Sequence, residues 1–148
     1  MSEVQQLAYS GDVAVRDVWN VLSSDRDSIL IDVRTRAEWQ FIGVPDLGTI
    51  DKTTLLVEWQ SFPLMQRNTD FETMLETALD PLGLNRDSGL YFMCRSGVRS
   101  AAAASALTQR GYSQCFNVTG GFEGPPDSNR HRGLIDGWKA DCLPWHQT

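Results

Sequence analysis

The run Tyr91-Phe92-Met93-Cys94-Arg95-Ser96-Gly97-Val98-Arg99-Ser100, followed at once by four alanines at 101–104, constrains this chain more than any other stretch. An apolar segment gives way to a small cationic loop, and the loop to a strong helix former, so the spacing predicts strand, loop and helix in succession. The cysteine then sits at the carboxyl edge of a sheet, where the next helix points its unpaired N–H groups and the positive end of its dipole. Surroundings of this type favour a nucleophilic thiolate. Whatever chemistry the chain performs is expected at Cys94.

The other loop residues fit an anion site. Gly97 can take a left-handed or tight conformation and leaves an amide open where a side chain would obstruct an anion. Arg95 and Arg99 bracket it with positive charge. If the backbone from Arg95 through Ser96, Gly97 and Val98 to Ser100 curls around the sulfur, several N–H groups hold a negative charge there. Ser96 and Ser100 are candidate donors to the anion or the loop, and Ser100 is equally a candidate cap for the helix. The plain alternative for Cys94 is a buried apolar side chain, but a glycine and two arginines are costly neighbours for a simple core site. For Cys115, beside an aromatic in a short apolar run, the preference reverses toward a structural thiol, with a resolving thiol as the alternative. Cys142 is read as structural or incidental, with a redox or sulfur-accepting role left open.

The rest of the chain reads as alternating helices and strands. Residues 13–22 carry Val15, Val18, Trp19 and Leu22 at helical spacing, and residues 28–34 are a β-branched run of the kind found in a central strand. A helical turn is expected over 35–41, an irregular stretch over 43–48, and strands at 49–50 and 55–59. A helix over 70–79, a strand over 89–94, a helix over 100–109 and a strand over 115–118 follow. This order predicts an α/β fold with a mainly parallel sheet and ligands at the carboxyl ends of its strands. Residues 127–132 read as an exposed loop. The tail regains large apolar side chains, with Trp138 and Trp145 as its anchors. Residues 1–126 are expected to form the catalytic domain, with 127–148 an extension packed on it.

Composition narrows the function classes. At 148 residues the chain suits one domain, and a formal charge of −6 argues against nucleic acid as a partner. The three cysteines lack paired CxxC spacing, and the two histidines, His131 and His146, form no evident cluster with them, so neither a metal site nor a disulfide scaffold is expected. No apolar run approaches a membrane span, and residues 1–6 show no leader pattern, which predicts a cytoplasmic protein without membrane contact.

Together, Leu30-Ile31-Asp32-Val33-Arg34, Glu38-Trp39, the run from Cys94 to Ser100, and Val118-Thr119-Gly120-Gly121-Phe122 resemble the rhodanese-like sulfurtransferases, over roughly residues 4–124. The tail is similar to an extension of some bacterial single-domain members. The resemblance implies a central, mostly parallel five-stranded sheet flanked by helices, with Cys94 as nucleophile at the base of a six-residue cradle. It implies no cofactor. The implied reaction moves sulfane sulfur from thiosulfate or a persulfide donor, through a Cys94 persulfide, to cyanide or a thiol, with a protein as a further candidate donor or acceptor.

Within that resemblance Arg95 and Arg99 match donor-binding positions. Asp32 and Arg34 match an acidic and basic pair that braces neighbouring loops, and Gly120 and Gly121 match a turn beside the active mouth. The stretch 41–48 departs from the family pattern: a histidine is missing and Asp46 replaces a glycine. Two other classes compete. A cysteine-dependent phosphatase or arsenate reductase also uses a thiolate in an anion nest, but its signature places arginine six positions after cysteine, where this chain has Ser100. A rhodanese-like module that has lost catalysis and serves regulation or binding is the other alternative.

Overall fold

A computed structural model describes residues 8–61 and 63–147. Residues 1–6, on which the leader expectation rests, and the first residues of the 4–124 resemblance lie outside the described residues.

The chain begins with a strand, β1 (Gly11–Ala14), and a helix, α1 (Val15–Ser24), followed by β2 (Ser28–Asp32) and α2 (Arg36–Ile42). Four short strands come next: β3 (Val44–Pro45), β4 (Leu55–Leu56) and the hairpin pair β5 (Gln60–Ser61) and β6 (Gln66–Arg67). Then come α3 (Phe71–Leu79), β7 (Gly89–Met93), α4 (Val98–Gln109), β8 (Gln114–Thr119) and β9 (Trp145–His146). The main sheet has five strands in the order β1-β8-β7-β2-β4, and every pairing in it is parallel. This is the flanked α/β sheet expected from the sequence.

The strands β2 and β7 are buried at every residue, as the apolar runs 29–31 and 90–93 within them anticipate. Because side chains alternate across a strand, each one feeds two cores. Ile29, Ile31, Leu90 and Phe92 pack with Phe71, Leu75 and Leu79 of α3 and with Ala103, Ala104 and Leu107 of α4. Leu30, Tyr91 and Met93 pack on the other face with Val15, Val18 and Leu22 of α1. The alanines of α4 let the helix sit close to the sheet, so its amino end meets the carboxyl end of β7, at Cys94.

Three expectations are corrected. The stretch at 49–50 is a 3₁₀ turn, Gly48–Ile50, because the Asp46 carboxylate accepts the Gly48 N–H at 2.9 Å and Leu47 O accepts from Ile50. The strand at 55–59 keeps regular pairing only over Leu55–Leu56. Beyond it, Val57 and Trp59 donate to Asp32 and Val33, so two residues advance against one and the ladder slips as in a bulge. Helix α1 starts at Val15 because residues 11–14 are drawn into β1 by the edge of β8.

In the tail, Trp138 is fully buried, donates from Nε1 to Pro144 O at 2.6 Å and meets Trp19 edge-on at 5.9 Å. Trp145 remains 39% exposed but lies in β9, which pairs antiparallel with β3, and carries the Lys139 ammonium 3.9 Å over its ring. This docking uses the stretch that departs from the family pattern: a Cβ on Gly43 would lie 2.7 Å from the Trp145 ring, and Asp46 faces His146 at 3.4 Å.

Candidate active site

Cys94 follows the last residue of β7 and is 1% exposed. Its position is set from below by a glycine turn. Phe122 donates its N–H to Cys94 O at 2.9 Å, and Glu123 and Gly124 both donate to Arg95 O at 3.1 Å. Gly121 makes this strap possible: a Cβ there would lie 2.5 Å from Cys94 O and 2.6 Å from Arg95 C, and its φ is +62°. Gly120, with φ +79°, has the Asp136 carboxylate where a Cβ would fall. Of the two predicted turn glycines, Gly121 stands against the Cys94–Arg95 backbone and Gly120 against Asp136.

Above the sulfur, Gly97 takes φ +119° at the start of α4 and donates its N–H to Cys94 Sγ at 3.1 Å. No side chain caps this helix, and its first hydrogen-bonded turn closes with Ala101 donating to Gly97 O. The amides of Val98, Arg99 and Ser100 therefore precede the helical ladder and stand at the positive end of its dipole, while the Gly97 amide is the one that reaches the sulfur. Arg95, Ser96 and Val98 are exposed.

Ser100 corrects the cap alternative. It lies inside the first turn, fully buried, with its hydroxyl 3.3 Å from Cys94 Sγ and 2.6 Å from Asn117 Oδ1. Asn117 Nδ2 donates to Asp12 Oδ1 at 3.1 Å, and Tyr9 OH donates to the same oxygen at 2.8 Å. The sequence reading named neither Asn117 nor Asp12. The one available signal was the polar side chain within Cys115-Phe116-Asn117-Val118, an otherwise apolar strand.

The two arginines of the loop differ. Arg99 forks onto Glu38, with N–O distances of 2.7 and 3.0 Å, and both side chains are mostly shielded from solvent. Glu38 also closes a capping box with Thr35 at the start of α2. Burial opposes its charge, but the hydrogen bonds from Arg99 and from the Thr35 backbone prevail and hold it near pKa 2. Arg99 in turn is fixed as a cation: burial works against its charge, and the Glu38 hydrogen bond outweighs that. The Arg95 side chain has no such partner among the described residues. Arg95 and Arg99 border a cleft of about 640 Å³ whose other walls include Ala37, Phe41, Ile42 and Met65.

Asp32 and Arg34 form an ion pair with no solvent exposure, at 2.7 Å. The Arg34 guanidinium also donates to Gly43 O at 2.7 Å and lies 4.2 Å over the Phe122 ring. The pair thus braces the end of β2, the α2–β3 corner and the turn that carries Cys94. Cys115 lies elsewhere: it is fully buried, burial pushes its thiol up to about 11, and its sulfur donates to Tyr112 O at 3.8 Å. Cys142 is exposed at φ +57°. Among the described residues, no three His, Cys, Asp or Glu side chains gather into a metal site, and no helix is long and apolar enough to cross a membrane.

A parallel five-stranded sheet with a lone cysteine between a strand end and a helix start defines a class, and the comparisons agree with it. The family model of the rhodanese-like domain matches residues 15–124, and the chain belongs to that family. The crystal structure of Rv0390 from M. tuberculosis is 38% identical, with a TM-score of 0.85 over 95% of this chain and 100% of that one. An uncharacterized protein of Rickettsia rickettsii is 38% identical over 86% of this chain and 89% of its own length. A tRNA uridine(34) hydroxylase of Synechococcus is 30% identical over 87% of this chain, which spans only 35% of that protein.

Proposed function

We propose that the protein is a sulfurtransferase that carries sulfane sulfur as a persulfide on Cys94. The observation that carries this reading is the sulfur's position, under the Gly97 amide at 3.1 Å and beside the uncapped start of α4. In the first half-reaction the Cys94 thiolate attacks the outer sulfur of thiosulfate or a related donor. A new S–S bond forms, the donor's S–S bond breaks, and sulfite leaves with the electron pair. In the second, cyanide or a thiol attacks the terminal sulfur and returns Cys94 to the thiolate.

The amides at the start of α4 hold the negative charge in both states, first on the thiolate and then on the outer persulfide sulfur. Arg95 draws in the anionic donor, while Arg99, paired with Glu38, shapes the cradle and keeps part of its positive field on the sulfur. Position 100 supports sulfur transfer over phosphate chemistry, since a serine hydroxyl stands 3.3 Å from the sulfur where the phosphatase signature calls for arginine. The test is cyanide-dependent thiocyanate release from thiosulfate by wild type and by Cys94→Ser. Turnover confined to the wild type is expected. Absence of turnover and of Cys94 loading by thiosulfate and by a glutathione or protein persulfide, in folded wild type, overturns the proposal in favour of a noncatalytic module.

A further inference from the structure

The Ser100 hydroxyl has one hydrogen and two acceptors for it. Asn117 Oδ1 lies at 2.6 Å, a short O–H···O distance, and Cys94 Sγ at 3.3 Å. The direction of the Asn117 amide is set by chemistry. The Asp12 carboxylate only accepts and already takes the Tyr9 hydroxyl at 2.8 Å, so the amide nitrogen must face it and the amide oxygen must face Ser100. Ser100 is fully buried and Asn117 is 5% exposed, so a misdirected hydrogen leaves a buried polar atom without a partner.

We propose that Asn117, aimed by Asp12, is a positioning residue that competes with the Cys94 sulfur for the Ser100 hydrogen and so governs when the nucleophile is released. With Cys94 as a thiol, the hydroxyl donates to Asn117 and turns a lone pair toward the S–H. When the proton leaves, the hydrogen turns to the thiolate. Once sulfur has been transferred, the negative charge sits on the outer sulfur and the inner one is neutral, so the hydrogen returns to Asn117. Asn117 thus keeps the hydroxyl satisfied while the charge is elsewhere, and it restrains the resting thiolate. This rests on Cys94 being the reacting sulfur.

The charged groups around Cys94 belong to other elements. Arg99 of α4 carries Glu38 of α2, Asp32 and Arg34 pair at the end of β2, Arg95 stands exposed in the loop, and Asp12 of β1 is separated from the sulfur by Asn117 and Ser100. Replacing Asn117 with leucine changes none of these charges, so a shift in that variant reports the Ser100 hydrogen.

The experiment follows the pH dependence of Cys94 alkylation by iodoacetamide in wild type, Asn117→Leu, Ser100→Ala and the double variant, with thiosulfate–cyanide turnover alongside. Asn117→Leu moves the alkylation midpoint down, raising the reactive fraction on its acid side by about threefold to tenfold, the scale of one hydrogen bond. Ser100→Ala moves it up by a similar factor, and the double variant matches Ser100→Ala because Asn117 acts only through Ser100. An unchanged or upward midpoint in Asn117→Leu, or an equal shift from it without the serine, overturns the proposal. Should Asn117→Leu fail to fold, Asn117→Ala, which also changes no charge, removes the competing acceptor. A downward shift that vanishes in the Ser100→Ala background is then expected, and a shift that persists there contradicts the proposal. Alkylation needs no sulfur donor, so failure of sulfur transfer and failure of the Asn117 role read out separately.

Discussion

Cys94 and Cys115 are buried to the same degree, 1% and 0% exposed, one just past β7 and the other in the adjacent parallel strand β8, and in the same apolar cluster. Their surroundings diverge because of which end of the sheet each occupies. Cys94 stands past the carboxyl end of β7, where α4 begins and the Gly97 N–H and Ser100 hydroxyl reach the sulfur. Cys115 stands near the amino end of β8, where its sulfur faces the Tyr112 carbonyl and Thr108, and burial pushes its thiol up to about 11. Burial alone makes a thiol inert; the thiolate proposed at Cys94 draws instead on the uncapped helix start above it.

The largest expected effect separates the two cysteines outright. Cys94→Ser loses thiocyanate production to the uncatalysed background, while Cys115→Ala keeps turnover within about twofold and loses about 1–2 kcal/mol of stability through the small cavity it leaves. Thermal melts and steady-state rates on both variants check this, and comparable losses of activity in the two would break the contrast. Next comes the strap under Cys94, which has no counterpart at Cys115. Gly121→Ala is expected to cost about 3 kcal/mol or more and to lower turnover in whatever protein folds, since its Cβ meets backbone. Gly83→Ala is the control, with a similar φ of +72° and open space around its Cβ; it should cost about 1 kcal/mol and leave turnover alone. Chemical denaturation of the two variants gives both numbers.

The strongly patterned parts of this molecule were legible before its structure. The β-branched run of β2, the apolar run of β7 and the alanine-rich α4 carry their own local signals, and together they place Cys94. Residues 11–14 carry no comparable signal, because Gly-Asp-Val-Ala is a strand only where the edge of β8 offers a ladder. The site shows the same division. Cys94, Gly97, Gly120 and Gly121 could be named from a contiguous motif. The Arg99–Glu38 fork spans 61 positions and the Asn117–Asp12 bond 105, so only the folded sheet brings these partners together. For that reason Arg99 is matched to donor binding without its Glu38 partner, Ser100 stands open between a donor to the anion and a helix cap, and Asn117 is not singled out.

Two smaller effects sharpen the comparison through pH. Cys115 has its value raised from 9.0 to about 11, so the neutral thiol is favoured in the folded state; the stability it confers is complete below pH 9 and is lost as pH rises toward 11. At pH 8 iodoacetamide should therefore modify buried Cys94 well before Cys115, and unfolding should erase the difference. Peptide mapping of the alkylated protein checks the order, and early modification of Cys115 in the native protein contradicts it.

Glu38 works in the opposite direction at the other end of the scale. Its value is lowered from 4.5 to about 2, so its contribution is present above pH 4.5 and is lost as pH falls toward 2. Glu38→Gln should flatten the decline in melting temperature over that window, where an unaltered decline would place the acid sensitivity in other carboxylates.

The measurement that bears most directly on sulfur carriage by Cys94 is intact-protein mass after reduction, removal of reductant and brief exposure to thiosulfate, followed by peptide mapping. The account predicts a gain of a single sulfur atom, located on the peptide bearing Cys94, absent from Cys94→Ser and discharged by cyanide with thiocyanate released in equal amount. A sulfur located on Cys115 or Cys142, or a gain that survives in Cys94→Ser, would contradict it.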